Sequence, residues 1–155
     1  MIEVSGDLWK LLPEVEDAWP CLKLVTTNGE CRRSDGAAVM GRGCARQAKD
    51  VVPGVEYKLG SLLAEHGNRV MRLAALPDAS HLGSFPVKHG WREDADLALI
   101  ERSAHQLVEL VDRFGYQTVL LPRPGAGNGG LNYLADVKPV LEEVLVSDRF
   151  RVVTF

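Results

Sequence analysis

Long hydrophobic runs are missing from this sequence. No apolar stretch approaches the ~20 residues of a spanning helix, which excludes a helical membrane span within it. An excess of basic charge is missing too. Eighteen lysines and arginines face 21 aspartates and glutamates, for a net charge of −3. Nothing therefore pulls the molecule as a whole toward nucleic acid or an anionic membrane. Cysteines number three (Cys21, Cys31, Cys44), an odd count with no CxxC pair. That argues against a disulfide framework and fits reduced thiols. His66, His81, His89 and His105 show no metal-ligand spacing, alone or with the cysteines, so no metal site is expected. Met1 to Asp7 lack the charged and apolar regions of a signal peptide, and a cytoplasmic location is the expectation. No internal repeat and no low-complexity tract is present.

What remains is the composition of an ordinary globular chain. Of 155 residues, 46% are apolar and 25% charged, enough for one domain over 1–155 with a proper core. Ile2 to Ser5 reads as a first strand, followed by the apolar patch Leu8, Trp9, Leu11 and Leu12. Leu22 to Thr27, Arg69 to Leu73, His81 to Pro86, Thr118 to Leu121 and Phe150 to Phe155 read as further strands. Pro86 predicts an end or edge position. Helices are expected from Cys44 to Lys49 and around Leu59, Leu62 and Leu63. The clearest runs through Leu97, Ile100, Ala104, Leu107, Val111 and Phe114, with Gly115 as its stop. A last helix carries Val140, Leu141, Val144 and Leu145 on one face, with Asp136 as its expected N-cap. Strands alternating with helices predict an α/β fold, with helices on both faces of a mixed, largely parallel sheet.

In such folds ligands sit beyond the carboxyl ends of the strands. Three special segments fall there: Asn28-Gly29, Lys88-His89, and Gly125-Ala126-Gly127-Asn128-Gly129-Gly130. The last joins a strand to a helix. Glycines let backbone N–H groups reach an anion without Cβ atoms in the way, so this loop suits a diphosphate. Gly125-x-Gly127-x-x-Gly130 matches the dinucleotide fingerprint, but too little chain follows for the second half of that fold. A second glycine loop, Val39-Met40-Gly41-Arg42-Gly43, opens the helix at Cys44. Two such loops are able to grip one diphosphate.

The order of these segments resembles a macro domain. The resemblance rests on Gly6-Asp7-Leu8, Asn28, Val39 to Ala45 and Pro122 to Gly127. Phe85-Pro86-Val87-Lys88-His89-Gly90-Trp91 and Leu131-Asn132-Tyr133 narrow it. They are similar to the branch that holds the terminal ADP-ribose protein glycohydrolase and the DNA ADP-ribosyl glycohydrolase antitoxins. The resemblance covers nearly the whole chain and implies a three-layer α/β/α macro domain that binds ADP-ribose. It implies that Asp7 meets the adenine amino group, that Leu8 lines the adenine pocket and that Asn28 lies near the distal ribose. Val39, Met40, Gly41 and Gly43 would form one wall of the diphosphate site. Pro124, Gly125, Ala126, Gly127, Asn128, Gly129, Gly130 and Leu131 would form the other. Asp7 also suits a plain turn, and Asn28-Gly29 is a strong turn signal in its own right. Phe155 and Tyr133 are candidates for stacking on the adenine or closing the distal site, or for simple packing.

The resemblance also assigns the chemistry. Lys88 would attack C1″ of the distal ribose and displace the linked group, with His89 and Arg92 nearby to favour its neutral form. The other reading is a surface lysine at a strand exit. An aspartate that resolves the adduct in the protein-directed enzyme is replaced here by Gly129; either Asp35 or a bound water substitutes, or the lysine acts only by electrostatics and positioning. The leading expectation is therefore a metal-independent hydrolase, with no cofactor, that removes single ADP-ribosyl groups from glutamate or aspartate side chains of proteins. One alternative is removal of thymine-linked ADP-ribose from DNA, for which Arg32, Arg33, Arg42 and Arg46 form a local basic cluster. Another is a module that binds ADP-ribose without cleaving it. No membrane partner is expected.

Overall fold

In the computed structural model, which describes all 155 residues, six strands form one sheet. They are β1 (Ile2–Ser5), β2 (Cys21–Asn28), β3 (Met71–Ala75), β4 (His81–Lys88), β5 (Thr118–Pro122) and β6 (Phe150–Thr154). Their order is β1-β6-β5-β2-β4-β3. Every pairing is parallel except that of β3 with β4. Four helices cover the faces: α1 (Gly43–Val51), α2 (Val55–His66), α3 (Leu97–Phe114) and α4 (Lys138–Val144).

Alternation along the strands builds two cores, one for each face. Leu22, Leu24, Val119 and Leu121 point to the side of α3 and α4, where Ile100, Leu107, Val111 and Leu141 meet them. Cys21, Val25 and Leu120 point to the side of α1 and α2, against Ala45, Ala48 and Leu59. The result is the three-layer α/β/α arrangement. Lys23 shares the second face and is fully buried. Its Nζ donates to the Trp9 carbonyl at 3.1 Å and to Asp78 Oδ2 at 2.9 Å, so the interior charge is both paired and hydrogen-bonded.

Two expectations need correcting in detail. Asp136 is not the N-cap of the last helix. Asn132 takes that place, accepting from the Ala135 N–H at 3.0 Å, while Asp136 Oδ2 accepts the Asn132 N–H at 3.2 Å. This reciprocal pair starts a wide turn, Tyr133–Val137, that runs into α4. Pro86 lies in a strand flanked on both sides by others, yet the β3 pairing stops at Met71↔Ser84. Beyond that pair β4 has β2 alone beside it, so Pro86 sits where the strand has become an edge. The ends of α3 match the sequence. Asp96 caps its first turn through the Ala98 N–H, and Gly115 ends it with φ +73°.

Candidate active site

Five parallel strands end on the same edge of the sheet, and the exits of four of them surround a cavity of about 650 Å³. That lies within the range of ~300–1,000 Å³ usual for small-molecule sites. β2 supplies Thr26, Thr27 and Asn28, β4 supplies Val87 and Lys88, β5 supplies Pro122, and β6 supplies Val153 and Thr154.

The first glycine loop makes one wall, with Val39, Met40, Gly41, Arg42 and Gly43 followed by Cys44 and Ala45. Asn28 holds it in place. Its side-chain amide donates to the Val39 carbonyl at 3.0 Å, and its carbonyl accepts the Glu30 N–H at 2.9 Å. From behind, Ala38 N–H donates to the Glu56 carbonyl of α2 at 2.8 Å. Helix α1 begins inside this wall, and no side chain caps it. Its first amides have no acceptor within the helix, so they are available to an anion in the cavity.

The second glycine loop makes the opposite wall through Gly125, Ala126, Gly127, Asn128 and Gly129. Gly125 has φ +77°, and a Cβ there would lie 2.8 Å from Ile100 Cδ1. Only glycine fits both demands. Lys88 reaches across from β4, and its Nζ donates to the Asn128 carbonyl at 2.9 Å. Gly129 is buried and its carbonyl accepts the Ala95 N–H at 2.9 Å, so this end of the loop is fastened to the segment before α3.

Charge in the cavity has one sign. Arg42, Lys88 and Arg123 line it, and no aspartate or glutamate does. Arg123 is steadied by the Tyr133 ring, 4.4 Å from its guanidinium carbon, and by Glu3 at 3.6 Å. Trp91 and Phe155 stand at the rim, both substantially exposed, with Arg92 stacked over Trp91 at 4.8 Å. A long, doubly anionic ligand with aromatic and sugar parts fits this distribution of cations, free amides and apolar rim.

No family model matches the sequence. Over 113 residues the chain is 30% identical to a DNA ADP-ribosyl glycohydrolase of Thermus aquaticus, a stretch covering 69% of this chain and 31% of that protein. The macrodomain of Mycobacterium tuberculosis DarG superposes with a TM-score of 0.77 at 25% identity, covering 98% of this chain and 95% of that one. This chain is a macro domain of the DarG branch. The structure described as Thermosipho africanus DarTG in complex with ADP-ribose shares the fold, with a TM-score of 0.70 at 21% identity, covering 85% of this chain and 37% of that one. The chain spans under a third of the length of the Thermus aquaticus relative.

In this macro domain, eleven of the sequence-expected site residues come together. Asn28, Val39, Met40, Gly41, Gly43 and Lys88 line the cavity, as do Gly125, Ala126, Gly127, Asn128 and Gly129. Five do not line it. Asp7 sits just past β1 and accepts the Trp9 N–H through Oδ1 at 3.0 Å, the arrangement of a turn. Leu8 is fully buried, and Pro124 is buried under the loop. Leu131 packs behind Gly125, and Gly130 faces Asp94. Tyr133 is also buried, serving Arg123 rather than the cavity.

The expected helpers of the lysine lie elsewhere. His89 Nε2 pairs with Asp96 Oδ2 at 2.8 Å, and Arg92 covers Trp91; neither lines the cavity. Asp35 is held by Arg32, the Ala37 N–H and Tyr57, also outside the lining. Of the basic cluster, Arg42 alone reaches the cavity. Thr26, Thr27, Val153 and Thr154 line it without any motif in the sequence to single them out, and Arg123 lines it from within the Pro122-to-Gly127 segment with no role of its own assigned there. Their positions at strand exits are the available signal.

Proposed function

We propose that this macro domain binds ADP-ribose in the cavity and hydrolyses its bond to thymine in DNA. The observation that carries the binding is the cavity itself: two glycine loops and three cations around one space, with no carboxylate lining it. The diphosphate lies between the loops, against the uncapped start of α1. The distal ribose then faces Lys88, whose Nζ leaves the Asn128 carbonyl when substrate arrives. A neutral amine attacking C1″ forms a new C–N bond as the bond to the base breaks with its electron pair. Water then hydrolyses the adduct and returns the free amine.

Linkage to DNA rather than to a protein carboxylate is favoured by the name carried by the relatives similar to this chain, DNA ADP-ribosyl glycohydrolase. It also accords with the lack of a carboxylate at the second loop, where the protein-directed branch is expected to carry an aspartate. The test is parallel incubation with thymine-linked, glutamate-linked and serine-linked ADP-ribose, following release. Release from thymine alone is expected. Release from glutamate alone would return the assignment to protein substrates, and binding without any release would make the chain a reader.

A further inference from the structure

A second cleft of about 710 Å³ runs along β3, the strand at one end of the sheet, between α2 and α3. Lys58, His66, Arg69, Arg72 and Arg113 line it, and Glu109 is its single acid. All five basic residues are exposed. Lys58, Arg69, Arg72 and Arg113 form no ion pair. In a chain of net charge −3, this concentration of unpaired cations is a local feature. Arg72 and Arg113 lie over the exposed Phe114 ring at 4.5 and 5.5 Å, which makes a flat cationic ledge. Ledges of this kind accept stacked bases.

One end of the cleft lies close to the exit of β4, the strand that carries Lys88. β3 runs antiparallel to its neighbour, so it begins at the edge of the sheet where the other strands end. Just before it, the Asn68 side chain donates to the Lys88 carbonyl at 2.9 Å. Arg69 is the next residue. A register shift between Arg72 and Ala74 and the arginines themselves blunt this edge against addition of a protein strand.

We infer that this cleft binds the single-stranded DNA on either side of a modified base and feeds it past Asn68 toward Lys88. The inference rests on the DNA-linked reading of the cavity, and its test is chosen to fail separately. A fluorescent, unmodified thymine-rich oligonucleotide is titrated with the wild-type chain over a series of salt concentrations. The same is done with Arg69→Gln/Arg72→Gln/Arg113→Gln. A second variant, Lys58→Gln/Arg69→Gln, leaves the Phe114 stack intact. Both should weaken oligonucleotide binding several-fold or more and flatten its salt dependence, by about 0.7 in log–log slope for each phosphate that is no longer neutralised. ADP-ribose affinity should not change. Wild-type affinity and slope in folded variants would overturn the inference, as would no oligonucleotide binding by the wild type. Binding of polyglutamate as tight as that of DNA would reassign the cleft to an acidic protein and overturn it too. Cleft-dependent binding without any release of ADP-ribose would refute the reaction and leave the cleft standing.

Discussion

The Lys88 amine lies 2.9 Å from the Asn128 carbonyl oxygen, spanning the cavity from strand β4 to the second glycine loop. One side chain thus occupies the place where the two halves of the site meet. Replacing Lys88 with alanine removes both a strut and the proposed nucleophile. Release of ADP-ribose from thymine-linked substrate should fall by about a hundredfold or more, the scale of losing a group that acts in the transition state. ADP-ribose affinity, read by calorimetry, should change little, because the loops and the α1 amides remain. Unchanged turnover would remove Lys88 from the mechanism.

The wall opposite depends on a close approach outside the cavity. A Cβ at Gly60 would lie 2.0 Å from the Gly36 carbonyl oxygen and 3.1 Å from the Ala38 nitrogen. Both are backbone atoms in the segment that leads to the first glycine loop. Gly60→Ala should therefore cost about 3 kcal/mol, the upper end for overpacking, and should weaken ADP-ribose binding by shifting Val39 and Met40. Urea unfolding and calorimetry check the two effects. A variant with wild-type stability would show that α2 does not brace the loop.

Beneath the sheet the Lys23–Asp78 pair sets a stability prediction. Asp78→Ala leaves a fully buried ammonium with the Trp9 carbonyl alone. Because Asp78 itself is partly exposed, the loss should sit near about 3 kcal/mol, the low end for breaking a buried pair. Replacing Lys23 with methionine at the same time should recover much of it, since no charge is then stranded. Equal losses in the single and double variants would contradict this account.

Acid sensitivity should have two parts. Burial first, and then the Arg72 charge, holds the His81 imidazole below its ordinary pKa. The folded state then binds fewer protons than the unfolded chain just below about pH 6.5, so stability is full above that pH and declines beneath it. Asp96, held low chiefly by its hydrogen bond from His89, behaves as a depressed carboxylate. Its contribution is present above about pH 4 and is lost as pH falls further. His81→Gln should abolish the first decline and keep the second. Thermal unfolding from pH 8 to pH 3 measures both, and an unaltered profile in the variant would rule out His81.

The strands and α3 are legible in the sequence because their signals are local. Branched apolar runs mark the strands, three-and-four spacing marks α3, and Gly115 marks its stop. The glycine loops are legible for the same reason, since a phosphate cradle needs small residues after a strand. Side-chain partners are not. Nothing near Lys23 in sequence announces that it is buried, because its acceptors, Trp9 and Asp78, come from distant segments. Asp136 has the look of a cap because it precedes a proline-opened helix, whereas the cap lies four residues earlier at Asn132. Arg123 lies within the Pro122-to-Gly127 segment, but its role depends on Glu3 and Tyr133 converging from distant parts of the chain. The two basic surfaces show the same limit. The arginines around the first loop stand out as a run in sequence, while the denser cleft is assembled from α2, β3 and α3.

Calorimetric titration of the wild-type chain with ADP-ribose, alongside AMP and ribose 5-phosphate, tests the central claim most directly. A pair of glycine loops that grips a diphosphate should give one site per chain for ADP-ribose, at least tenfold tighter than either fragment. No heat with ADP-ribose, or AMP bound as tightly as ADP-ribose, would contradict it.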